Sequence, residues 1–300
     1  MAPSSSSSKP LGPPPLPATT TNYVTSPNEP FPDPKELDAA TKVHTQGDFQ
    51  IETRKLPISK AGPIDELNEK LGIPVPEMIF GDNLIKITHK PSNWSISFDA
   101  FGALDRVDKE GKKLLKVSYA KDWERTREDT TMKIQNVVKP YDWSYTTDYT
   151  GTEAEGKGGE RLGPAHDQHI PLALLRRRDP ILFFEEVILY ESELDDNGIS
   201  IYSCKVRVHE RRMLLLCRMF LRLDRVLVRI NDTRVYVDFD QNEVIREYTA
   251  KEGSFNTVKR QLVLEGRLPD DVIIALRDPN ILDPLLTVKQ TTEDAVKFSK

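Results

Sequence analysis

The chain has little of what would make it a membrane, secreted or nucleic-acid-binding protein. No stretch reaches the roughly 18 uninterrupted apolar residues that a bilayer-spanning helix requires. Cysteine is scarce: Cys204 and Cys217 are the only two. They form no CxxC pair, which leaves a disulfide framework and a Cys-based metal site without material. Both fall in predicted buried strands, where cysteine acts as a small hydrophobe and a cytosolic compartment keeps it reduced. The formal net charge is −5, and Arg176-Arg177-Arg178 is the one basic triplet, so no basic stripe marks a nucleic-acid binder. The first residues lack the basic-then-apolar pattern of a secretory leader, which argues against secretion; the expected compartment is the cytoplasm, with the nucleus as a second one. The sequons at Asn93 and Asn231 are then accidental.

Catalytic signatures are missing as well. There is no GxxxxGK[ST], HExxH or GxSxG, and the GKGG at Gly156 follows no predicted strand. Gly81-Asp82-Asn83 looks like the start of a metallophosphatase site. It lacks the further Gly-Asn-His segment, so it reads as a turn whose carboxylate ties down backbone amides. His166 and His169, three apart in a loop, offer two imidazoles to a metal. A metal-dependent hydrolase built on Asp82, His166 and His169 is therefore the enzyme alternative. The expectation is no catalytic residue, no metal and no cofactor. The acidic cluster around Glu185, Glu186, Glu191 and Glu193 reads as a solvated strand edge.

What the chain does contain begins with a tail. Ten of the 22 prolines lie before residue 35, beside a serine run at 4–8. Residues 1–42 therefore read as a disordered, solubilising leader, with a proline spacing at 14–17 that also suits a polyproline-binding partner. One globular domain is expected over 43–290, with 291–300 frayed. Phe49-Ile51-Thr53, 84–88 and Trp94-Ile96-Phe98 alternate as strands. Residues 63–72 read as a helix with Pro63 in its first turn and Gly72 as its stop. A strand at 114–119 and a helix at 122–128 follow. Residues 153–162, rich in Gly and Glu, read as a mobile loop, and 270–277 as a helix. From 184 to 239 the pattern is a meander of antiparallel strands. The turn at 195–198 opens one hairpin, and Asp224-Arg225 closes another with a longer or bulged turn. Its densest part, 213–236, is too continuously apolar for a one-sided helix. Asn231-Asp232-Thr233-Arg234 carries strong turn chemistry and reads as a polar corner ending a buried hairpin. Such a corner presents side chains to a partner. The fold class is α+β: a mainly antiparallel sheet, in one or two layers, with a few flanking helices.

The segment 139–151, KPYDWSYTTDYTG, differs in kind. It places Tyr141, Trp143, Tyr145 and Tyr149 among Asp142, Asp148 and two threonines. Such aromatics either wall an interface or cover the sheet. Together with 76–83 (PEMIFGDN), 183–187 (FFEEV) and 231–234 (NDTR), in this order, the segment resembles the TIP-forty-one-like (TIPRL) family over roughly 49–252. The resemblance implies a non-catalytic regulator that binds the catalytic subunit of type 2A-like Ser/Thr phosphatases and modulates their activity or assembly. It implies a role in signal transduction within the TOR pathway, alongside the alpha-four/Tap-type phosphatase subunit. It also implies a mixed α/β fold with a cleft for the catalytic subunit's C-terminal tail, and no nucleic acid or membrane as partner. Family positions tied to phosphatase binding match Ile170, Ile230 and Asp232. Ile230 replaces a methionine, and a further family aspartate aligns with Gly102. With the neighbours of Asp232 and with the aromatic segment as a wall of the groove, the expected partner-binding set is Ile170, Ile230, Asn231, Asp232, Arg234, Tyr141, Asp142, Trp143 and Tyr149.

Overall fold

The computed structural model describes residues 32–110, 141–165, 168–194 and 196–299. The strand expected at 114–119 and the helix expected at 122–128 lie outside them. The N-terminal part begins with α1 (Pro34–Ala40), β1 (Thr41–Gln46), β2 (Phe49–Arg54) and α2 (Ala61–Leu71). It continues with β3 (Met78–Ile79), β4 (Leu84–His89), β5 (Trp94–Asp99) and α3 (Ala100–Asp105). After the aromatic segment come β6 (Thr152–Ala154), β7 (Gly163–Pro164) and the short α4 (Leu172–Leu175). Four long strands follow: β8 (Phe183–Ser192), β9 (Gly198–Val208), β10 (Arg212–Leu223) and β11 (Leu227–Asp238). The chain closes with β12 (Glu243–Ser254), α5 (Phe255–Leu264), α6 (Pro269–Ala275), α7 (Pro279–Leu282) and β13 (Thr287–Lys297).

All pairings are antiparallel. A five-stranded sheet runs β1-β2-β4-β5-β6, and an eight-stranded sheet runs β3-β8-β9-β10-β11-β12-β13-β7. The α+β expectation holds, in its two-layer form. The main core lies between the sheets, where Phe49, Ile87, Trp94 and Phe98 of the smaller meet Val206, Leu215, Met219 and Val237 of the larger. This side of the large sheet is its inner face. On the outer face, Phe220, Val228 and Ile230 pack under α5, α6 and α7. Farther along that face, Ile170 and Leu175 pack on Leu214, Tyr236 and Ile245. Strand β10 thus has apolar cover on both faces, which is why its sequence does not alternate.

Local chemistry explains the boundaries. Gly72, at φ 68°, ends α2 in the left-handed conformation glycine takes without penalty. The β10–β11 hairpin closes through Asp224, Arg225 and Val226, with Arg225 at φ 67°. The longer turn expected there is present. In the β8–β9 turn, a side chain on Gly198 would sit 1.9 Å from the Arg222 carbonyl oxygen, so only glycine fits.

Several expectations need correction. Residues 34–40, placed in the tail, form α1, because Asp33 accepts from the Lys35 amide and Pro34 pre-sets the first turn. The 153–162 loop contains part of β6, paired to β5, with Glu153 accepting from the Trp94 indole at 2.7 Å. At Gly81-Asp82-Asn83 it is the Asn83 amide, not the Asp82 carboxylate, that ties the turn. It accepts from the Leu56 amide and donates to the Ile188 carbonyl. The C-terminal end does not fray from 291: β13 pairs along β12 as far as Lys297, and Phe298 stacks on His89. That strand reads as polar because most of its residues are exposed.

Candidate functional site

The quartet 231–234 is not a corner. It lies in the middle of β11, paired on both sides with β10 and β12. Its polarity serves two faces, since alternate residues of a strand point to opposite sides.

On the inner face the side chains hold the segment that follows residue 140. That segment crosses the large sheet as a strap whose backbone carbonyls accept from side chains of the sheet. Tyr190 donates to the Tyr145 carbonyl at 2.8 Å, and Asn231 to that of Thr147 at 2.8 Å. Tyr202 and Thr233 both donate to the Tyr149 carbonyl, and Arg246 donates to that of Thr150. Arg229 reaches the Thr146 hydroxyl. Buried carbonyls need partners, and these strands supply them. Burial raises the hydroxyl pKa values of Tyr149, Tyr190 and Tyr202, so all three remain protonated donors.

On the outer face Asp232 is 2% exposed and carries three charge-assisted bonds. Arg218 Nε lies 2.6 Å from its Oδ1 and Arg218 Nη2 2.7 Å from its Oδ2. Arg234 Nη2 lies 2.7 Å from the same Oδ2. Burial would lower the Arg218 pKa, but its bond to Asp232 and the nearby Asp232, Asp283 and Asp278 charges raise it above its ordinary value. One carboxylate thus orients two guanidiniums. Arg218 also reaches Asn280 at 2.9 Å. The pair sits in the strip of sheet between the α5–α7 cover and the Ile170–Leu175 cover, and Arg234 is partly exposed there.

The predicted site residues separate accordingly. Ile170 is 3% exposed, packs on Tyr236 and Ile245, and donates its amide to Glu247 at 2.8 Å. Ile230 is fully buried beneath the helices, so it supports the surface rather than displaying a side chain on it. Asn231 faces the strap. Tyr141 and Tyr149 belong to the inter-sheet core, with Trp143 packed against it. Asp142 accepts from the Ser144 amide and hydroxyl. The aromatics therefore cover the sheet. Gly102 has no room for a side chain, as its Cβ would lie 2.6 Å from the Tyr149 hydroxyl. The nearby Asp99 caps α3 by accepting from the Gly102 amide at 2.7 Å. Sequence reasoning missed Arg218. Its lone charge within an apolar strand is a signal, but its partner becomes visible only through the register that sets it opposite Asp232.

The residues of the enzyme alternative do not assemble. Asp82 follows β3, which pairs with β8, and burial raises its carboxyl pKa despite Arg54. His169 contacts Glu293 on β13. Strands β8 and β13 are five spacings apart in the large sheet, about 24 Å at ~4.8 Å each, too far to share an ion. His166 lies outside the described residues. No helix among them is long and apolar enough to cross a membrane.

Fold and site define a two-sheet α+β scaffold that straps down its own backbone on one sheet face and holds two guanidiniums on a buried carboxylate on the other. The chain belongs to the TIP41-like family, whose model matches residues 78–259, from β3 into α5. It is similar to the type 2A phosphatase activator TIP41 of Saccharomyces cerevisiae, at 42% identity over 250 residues, covering 78% of this chain and 68% of that one. It is also similar to the human TIP41-like protein, at 40% identity over 253 residues, covering 84% and 88%. The type 2A phosphatase activator tip41 of Schizosaccharomyces pombe is 34% identical over 220 residues, covering 73% and 84%.

Proposed function

We propose that this protein is a non-catalytic regulator of type 2A-like Ser/Thr phosphatases. It binds the catalytic subunit through the outer face of the large sheet and so alters the activity or assembly of the enzyme. The subunit's C-terminal tail lies along the strip between α7 and Ile170, where Arg218 and Arg234 receive its carboxylate or acidic groups. The names of the budding- and fission-yeast relatives support the phosphatase as target. The observation that carries the docking face is the buried Asp232 carboxylate holding two guanidiniums in one strip. In this reading Ile230, Asn231, Tyr141, Asp142, Trp143 and Tyr149 act indirectly, by fixing the sheet and strap behind that face. The protein works in TOR signalling, with the alpha-four/Tap-type subunit as a further partner, in the cytoplasm and nucleus.

The test is co-purification with the catalytic subunit, intact or lacking its C-terminal tail. Arg234→Glu should cut capture of the intact subunit at least tenfold while its circular dichroism spectrum shows the fold retained, and Arg260→Glu on the exposed side of α5 should not. Equal capture of tailed and tailless subunit, or by Arg234→Glu and wild type, refutes the assigned face.

A further inference from the structure

Glu247 of β12 and Glu293 of β13 are register partners on the outer face. Like charges directly opposite each other weaken a strand pair, so this position calls for a cation. Arg234 is the register partner of Glu247 on the other side, but its guanidinium is bonded to Asp232. The group that does approach is His169, whose Nδ1 lies 2.9 Å from Glu293 Oε1. Donor atoms of His169, Glu247 and Glu293 all lie within 4.8 Å of one another. The His169 side chain is 65% exposed and that of Glu293 is 21% exposed, so an ion can enter from solvent.

We propose that His169, Glu247 and Glu293 form a divalent metal site suited to Zn²⁺. One imidazole nitrogen and two carboxylate oxygens are ordinary zinc donors at about 2.0–2.2 Å, and a water completes a tetrahedral shell. Donors in such a shell stand roughly 3.4 Å apart. Rotation of three side chains that already face one another closes the remaining distance. The two carboxylates balance the charge of the ion, and the ion removes their mutual repulsion. The Ile170 amide holds Glu247 from outside at 2.8 Å, the kind of outer hydrogen bond that orients a ligating carboxylate. Mg²⁺ fits poorly, because it favours an octahedral shell of oxygen donors. The bound ion ties residues 168–170 to β12 and β13. This site does not depend on what the neighbouring strip binds.

The experiment uses the full chain, stripped by a chelator and titrated with ZnCl₂ against a chromogenic competitor, with MgCl₂ in parallel. Wild type should bind one Zn²⁺ and show raised thermal stability. His169→Ala and Glu293→Gln should each weaken binding about tenfold or more, and zinc should raise the melting temperature of neither as it does that of the wild type. X-ray absorption at the zinc edge should show only nitrogen and oxygen neighbours. Wild-type zinc affinity in both variants, affinity no greater than for Mg²⁺, or sulfur in the first shell would each overturn the proposal.

Discussion

Asp232→Asn isolates the ion pair on the outer face. Asparagine keeps the size of the side chain, but it is neutral and its amide nitrogen cannot accept the second Arg218 bond. The variant therefore loses charge-assisted bonds now made at 2.6, 2.7 and 2.7 Å. Arg234 contributes little to the loss, because its side chain is 27% exposed and can turn to water. Arg218, at 12%, cannot do so as readily. Removing one partner of a buried pair costs about 3–5 kcal/mol. The bond from Arg218 to Asn280 survives, so the lower end applies, about 3 kcal/mol. For an ordered body of this size that lowers Tm by roughly 6–12 °C. Urea unfolding followed by circular dichroism should show a lower midpoint at unchanged slope. The double variant Asp232→Asn/Arg218→Met removes the stranded guanidinium and should recover part of the loss. A single-variant loss below about 1 kcal/mol, or no recovery in the double variant, would refute the argument that this pair is a coupled buried unit.

Three further outcomes are expected. Asn231→Ala leaves the Thr147 carbonyl without its donor and should cost about 1–3 kcal/mol, with faster amide hydrogen exchange confined at first to 145–150. Gly102→Asp should destabilise by about 1–3 kcal/mol in thermal melts, because its Cβ meets the Tyr149 hydroxyl bonded to the Ser97 carbonyl. Glu191→Gln should stabilise at neutral pH, since burial, and then the neighbouring Glu193, hold the Glu191 carboxyl above its ordinary range. A folded-state pKa raised above the unfolded value penalises the folded state once the pH exceeds it. The gain should therefore be full above the raised value and vanish as pH falls below the unfolded one, as urea midpoints at pH 3 to 8 would show.

The amino-acid order by itself determined a good deal. Alternation marked β2, β4 and β5, and the apolar run across 213–236 marked a hairpin buried on both faces, because the period of side-chain burial is written into neighbouring residues. Gly72 marked a helix end, since its conformational freedom is a local property. Tertiary structure decided the rest. Strand β12 and α5 gave little warning, and β13 none, because their polar residues are paired or exposed in a sheet that only distant chain segments complete. The quartet 231–234 carries turn residues, yet it runs straight. Asn231 and Thr233 meet strap carbonyls 84 residues earlier in the chain, and Asp232 meets an arginine set opposite it by strand register. Local propensity weighs a few tenths of a kcal/mol per residue, whereas an unpaired buried carboxylate or carbonyl costs several times more. The partners of those groups, and hence the surface they build, exist only once the sheets have closed.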